Sequence, residues 1–310
     1  MQKVLPSLHL LEIFMPAANK DEDYLVKMIL PKTAEIPFYR GIELPVIQKA
    51  ENQKLVRGIV EDKKYHFLTW ASPNINDAGM NLSSLDEALR KKSVEFTKEL
   101  IKTAVESGTT NVGLPSGPDP GGAAREDAKK ALFDSYVAIS EAAKQYPGLQ
   151  LNVEPLDRYV HKKQLLGPIR EVTEWFAGLK KEAPNFYIHW DSAHEALGGI
   201  DLTESLTCAL PYLTQFHICN CITDPAHPCY GDWHMELGEA PSYKNEGYLD
   251  LQIAANLLKT VQEAEPAPGV DAAYCAIEVR AHMGNDMWKA EHEVRSFLAD
   301  AMNLAGIAHE

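Results

Sequence analysis

A parallel (β/α)8 barrel is the fold this sequence predicts, on three observations. Short apolar segments alternate with longer amphipathic ones eight times over; strand–helix alternation means a parallel sheet, and eight such units close one. The turn after the first strand, Pro16-Ala17-Ala18-Asn19-Lys20, lacks the G-x-G-x-x-G that a doubly wound open sheet would want. The 310 residues show no internal repeat and no low-complexity tract, and α/β barrels of this length form one domain, so 1–310 reads as a single barrel.

The strands fall in order at Ser7–Phe14, Gly41–Val46, His66–Ser72, Asn111–Pro115, Leu149–Glu154, Phe186–Asp191, Gln215–Cys219 and Tyr274–Val279. The first run is apolar behind Met-Gln-Lys, but His9 and Glu12 interrupt it, which favours a strand over a signal peptide. Ser84–Ser107 is the best-marked helix. Leu85, Ala88, Leu89, Val94, Phe96, Leu100, Ile101, Ala104 and Val105 recur near the 3.6 period, Asp86 and Glu87 sit in the first turn, and Gly108 stops it. Asp127–Gln145, Pro168–Lys181, Leu202–Leu213, Leu251–Glu263 and Trp288–Leu304 read the same way. The longest irregular stretch, Cys221–Gly247, follows the seventh strand and carries Pro225, Pro228, Gly231, Gly238, Pro241 and Gly247. Loops that long are usually functional, and barrel active sites lie on the face where this one emerges.

Composition sets the partner classes. Thirty Lys and Arg against 44 Asp and Glu give a net charge of −14, which argues against duplex nucleic acid and against an anionic membrane surface. Five cysteines at irregular spacing make no disulfide framework, so a reducing cytoplasm is expected. No stretch approaches the ~20 apolar residues of a membrane span.

Four strands end in polar residues that a core does not require. They are Asn152-Val153-Glu154, His189-Trp190-Asp191, Phe216-His217 and Ile277-Glu278. Strand side chains alternate between faces, so Glu154, Asp191, His217 and Glu278 can all point inward at the top of one barrel. Three carboxylates together repel unless a cation sits among them. Three oxygen donors with one imidazole suit Mn²⁺, with Co²⁺, Fe²⁺ or Mg²⁺ as alternatives and Zn²⁺ fitting less well.

Glu154-Pro155-Leu156-Asp157-Arg158, Asp191-x-x-His194, His217 and Glu278 together resemble the sugar isomerase/epimerase superfamily of xylose-isomerase-like barrels, which includes ketose 3-epimerases. The resemblance implies that the four residues bind the cation, that Glu154 and Glu278 also shuttle a proton next to a carbonyl, and that His194 contacts a substrate oxygen. Two departures stand out. Val160 occupies the place of a second Glu six residues after the first, and no Arg follows His217 closely. That pattern is similar to the catalytic α-subunits of bacterial C-glycoside deglycosidases. It implies a lyase that cleaves the C–C bond of a 3-oxo-C-glycoside, alongside a small β-subunit partner and in an oligomer. His161 is then the candidate general base, and Tyr230 and Trp233 in the long loop would cover an aromatic aglycone. The alternatives are a sugar isomerase or 3-epimerase and a non-catalytic barrel subunit; a trinuclear zinc nuclease of the apurinic type conflicts with the acidic charge.

Further substrate-side candidates are Arg280, which shares the parity of Glu278, and Trp70 and Glu43 at strand ends. Asp232 and His234 in the long loop lie near the active face, where one of them could contact substrate or metal. Arg280 reads equally well as a salt bridge to a carboxylate, Trp70 as core packing, and Asp232 and His234 as solvated loop. Gly113-x-Pro115-Ser116-Gly117-Pro118 forms a turn that lets substrate approach backbone. A structural zinc on Cys219, Cys221, Cys229, His227 and His234 has no recognised ligand spacing.

Overall fold

Phe186–Asp191 is buried along its whole length, as a parallel strand covered on both faces must be. It is strand β6 of a computed structural model that describes residues 1–15, 21–281 and 284–309. The other parallel strands are β1 (Lys3–His9), β2 (Gly41–Pro45), β3 (His66–Trp70), β4 (Asn111–Leu114), β5 (Gln150–Val153), β7 (Leu213–Ile222) and β9 (Ala272–Glu278). The order runs β6-β5-β4-β3-β2-β1-β9-β7, and β6 also pairs with β7, closing an eight-stranded parallel barrel. A ninth strand, β8 (Gly231–Met235), runs antiparallel to β7. The turn 16–20, read for its missing phosphate loop, lies outside the described residues.

The chain divides into two compact units, 1–43 with 190–310, and 44–189. In the first, β1 pairs with β9 and with the start of β2, and the register sets His9 beside Glu43 and Cys219 beside Glu278. Its helices start on aspartates whose side chains accept free backbone N–H groups. Asp191 caps Ser192–Leu197, Asp201 caps Leu202–Ala209, Asp250 caps Leu251–Glu263 and Asp286 caps Met287–Ala305. In the second, β3, β4 and β5 pair in parallel, flanked by Glu87–Glu106, Ala124–Ala143 and Ile169–Glu182. No helix among the described residues is long and apolar enough to cross a membrane.

Three elements differ from expectation. The first strand ends at His9, not Phe14, because the His9 ring accepts the Glu12 backbone N–H at 3.4 Å and starts a short helix, Leu10–Ile13. Ala50–Lys63 is a helix the apolar pattern did not reveal; of its apolar side chains only Val56 and Val60 are buried. The stretch 221–247 is not irregular throughout. It holds β8, whose Asp232 and His234 are buried while Trp233 is half exposed. A strand whose inward residues are charged carries no apolar alternation to read.

Candidate metal centre and its surroundings

His217 is the hub of the first unit. Its Nε2 lies 3.0 and 3.1 Å from the two carboxylate oxygens of Glu43. Its Nδ1 lies 3.2 Å from Glu278 Oε2 and 3.9 Å from Asp191 Oδ2. The ligand atoms of Asp191, His217 and Glu278 all fall within 4.8 Å of one another. Asp191 splits its work between its two oxygens. Oδ1 caps the following helix, accepting from Ala193 N at 2.7 Å and His194 N at 3.3 Å. Oδ2 is buried and makes no hydrogen bond. An unsatisfied buried carboxylate oxygen beside a second carboxylate and an imidazole nitrogen is the donor set of a hard or borderline divalent cation.

The electrostatics agree. Burial pushes the Asp191 carboxyl up to about 6, with the Glu278 and Asp232 charges adding to it. Burial would lower His217, but Glu43 and Glu278 outweigh it and hold the ring well above 6.5. Burial would raise Glu278, but His234, His217 and His9 keep it well below the usual carboxylate range. His9 itself is lowered by burial.

A second network adjoins this one. His234 Nδ1 lies 2.8 Å from Glu12 Oε2, and its Nε2 lies 3.0 Å from Asp232 Oδ2. Both ring nitrogens thus face carboxylates; burial would lower the His234 pKa, but the Glu278, Asp232 and Glu12 charges prevail and hold it well above its ordinary value. Its backbone sits in the left-handed region, with φ 51°, which non-glycine residues rarely occupy. Arg280 donates to the same Glu12 oxygen through Nε at 2.9 Å and approaches it through Nη2 at 2.7 Å, and its backbone N–H donates to the His234 carbonyl at 2.8 Å.

These contacts correct several expectations. His234 is buried, not solvated, with Glu12 on one ring nitrogen and Asp232 on the other, and with Glu12 and Glu278 it forms a second group whose ligand atoms lie within 4.8 Å of one another. Asp232 is buried rather than solvated, and also accepts from Cys219 Sγ at 3.7 Å. Arg280 takes its salt-bridge reading, with Glu12. Glu43 is fully buried, against His217. Trp233, opposite in parity to Asp232 and His234 on β8, points away from the carboxylate cluster. Among the described residues no metal-binding group includes a cysteine, so the Cys219-Cys221-Cys229 zinc has no support.

In the second unit Glu154 follows directly on β5, with Oε1 4.0 Å from the Nε2 of buried His189. Trp70 takes its packing role. It is buried, meets His189 edge-on with ring centroids 5.1 Å apart, and lies so close to Gly113 that a Cβ there would run into the indole. His161 sits on a loop built by the two residues that complete the Glu154 motif. The Asp157 carboxylate accepts from the backbone N–H of Val160, His161 and Lys162 at 2.9, 2.6 and 2.9 Å. Arg158 ties the loop to Glu171 at 2.9 Å and to the Leu165 carbonyl at 2.9 Å. The 113–118 turn is packed too; Ser116 Oγ accepts from Leu166 N at 3.2 Å.

Sequence reasoning missed His9 and Glu12 as part of the site. The signal was present, since both interrupt an apolar run at a strand end, as the candidate ligands do.

The geometry has counterparts. A search of curated protein sequences finds no match. Among solved structures, a D-psicose 3-epimerase shares 14% identity over 99% of this chain and 100% of its own, with a TM-score of 0.67. An L-ribulose 3-epimerase shares 14% over 97% and 95%, with a TM-score of 0.68. A 3-keto-D-glucoside 4-epimerase from E. coli shares 15% over 98% and 100%, with a TM-score of 0.61. At such identity the likeness is one of fold. The family described as xylose isomerase-like TIM barrel matches residues 33–261, well over half of the chain. An eight-stranded barrel with a carboxylate–imidazole cluster at its strand ends is therefore assigned on sequence as well as shape: the chain belongs to the xylose isomerase-like TIM-barrel family.

Proposed function

We propose that this protein is a divalent-metal-dependent enzyme that moves a proton on the carbon next to a keto-sugar carbonyl, with epimerisation or isomerisation as the outcome. One observation carries the reading: Asp191 Oδ2 is buried without a hydrogen bond, beside His217 Nδ1 and Glu278. Those three residues would hold the cation, the sequence resemblance implies Glu154 as a fourth ligand, and Mn²⁺ suits such a set of oxygens and one nitrogen. When bound, the cation polarises the carbonyl and stabilises the negative charge that develops on its oxygen.

The chain supplies the rest. Glu278 and Glu154 are carboxylates able to take the proton from carbon and return it. His194, in the first turn after Asp191, donates to a substrate oxygen. His161 is a second candidate base, on a loop fixed by Asp157. His234 and Arg280, both on Glu12, hold positive charge near Glu278.

The names of the structural neighbours support sugar epimerase chemistry, and one of them acts on a 3-keto-D-glucoside. C–C cleavage of a 3-oxo-C-glycoside, with a small partner subunit, is a second reading of the same proton abstraction. Val160 favours it, standing where the sequence resemblance would lead one to expect a second Glu. The test is to incubate the Mn²⁺-loaded protein with D-psicose, with D-tagatose and with a 3-oxo-C-glycoside. Epimerised or isomerised ketose supports the first reading and released aglycone the second; turnover of none, with and without co-purified partners, refutes both.

A further inference from the structure

Glu43 is a fully buried carboxylate at the end of β2, and both its oxygens address one atom, His217 Nε2. We propose that Glu43 is a positioning residue: it fixes the His217 ring so that Nδ1 is the nitrogen offered to the cation. This rests on the metal reading above.

Because Glu43 accepts, the Nε2 proton stays on the ring whatever binds at Nδ1. A ring flip would break two contacts of 3.0 and 3.1 Å to a fully buried carboxylate. Glu43 is steadied from the neighbouring strand. The Nδ1 of His9 accepts the Glu12 backbone N–H, which places the His9 proton on Nε2, 3.8 Å from Glu43 Oε2 and 3.5 Å from Glu278 Oε1. The β1–β2 register, which pairs His9 with Glu43, sets that approach. A carboxylate on the far nitrogen of a ligating imidazole fixes its tautomer and raises its basicity, and such partners typically matter 10–100-fold in metal affinity.

The test compares the wild type with Glu43→Gln by Mn²⁺ titration, and by the visible absorption of the Co²⁺-substituted protein. Glutamine keeps the shape and one acceptor but removes the charge. The expected result is about 10–100-fold weaker Mn²⁺ binding and a shifted Co²⁺ band. A folded Glu43→Gln protein with wild-type affinity and an unchanged band would overturn the positioning role while leaving the metal reading intact. A wild type that binds no Mn²⁺ would overturn both. If Glu43→Gln does not fold, Glu43→Asp decides: weaker binding than wild type with a shifted band supports the role, and wild-type behaviour overturns it.

Discussion

Replacing Asp191 by asparagine separates the cost of the site from its use. Asparagine can still cap Ser192–Leu197, accepting from the Ala193 and His194 N–H groups as Asp191 does. It cannot carry the charge that burial opposes. Burial raises the Asp191 carboxyl from 3.8 to about 6. A carboxyl raised on folding binds its proton more tightly in the native state. Its contribution to stability is therefore full below pH 3.8, falls as pH rises to 6, and is lost above. Two pKa units correspond to about 3 kcal/mol. After chelation, at pH 7.5, Asp191→Asn is expected to be more stable than wild type by up to about 3 kcal/mol, an advantage that shrinks toward pH 4. Adding Mn²⁺ reverses the order: the wild type gains about 2.7 kcal/mol at a hundred times its Kd, and the variant gains nothing. Urea unfolding with EDTA and with Mn²⁺ measures both terms. A chelated variant less stable than wild type, or one stabilised equally by Mn²⁺, would refute the reasoning.

Three further outcomes are expected. His234→Gln leaves Glu12 and Asp232 without the imidazolium between them, and is expected to cost on the order of 3 kcal/mol in urea unfolding; a loss under ~0.5 kcal/mol would show that Arg280 alone suffices. Gly113→Ala drives a methyl into the Trp70 ring, an overpacking expected to cost about 1–3 kcal/mol and readable as a lower Tm. Asp157→Ala removes the acceptor for three backbone N–H groups and is expected to raise amide hydrogen exchange at 160–162 while leaving that of β6 unchanged; unaltered exchange in the loop would contradict its role.

Much of this architecture was legible in the sequence. Phe186–Asp191 and Leu251–Glu263 appear at the residues expected, because an unbroken buried strand and an Asp-capped amphipathic helix carry their own boundaries. Asp191, His217 and Glu278 were legible because polar residues at apolar strand ends have no use in a core. The partners of these residues were not. Glu12 and His234 lie 222 residues apart and Glu43 and His217 lie 174 apart, and no local pattern encodes such pairings. β8 was hidden for the same reason, since its inward residues are the charged ones. His234 and Arg280 were read as site residues, but which carboxylates they face, Glu12 for both and Asp232 for His234, is a tertiary fact.

The central claim is that the cluster around Asp191, His217 and Glu278 promotes loss of a proton next to a sugar carbonyl. Deuterium exchange tests it most directly. The Mn²⁺-loaded protein is incubated in D₂O with D-psicose, D-tagatose and a methyl 3-keto-D-glucoside, and each sugar is followed by proton NMR. The account predicts loss of the signal at a carbon flanking the carbonyl in at least one sugar, abolished by EDTA and by Asp191→Asn. Exchange that persists undiminished in Asp191→Asn, or none in any of the three sugars with Mn²⁺ bound, would contradict it.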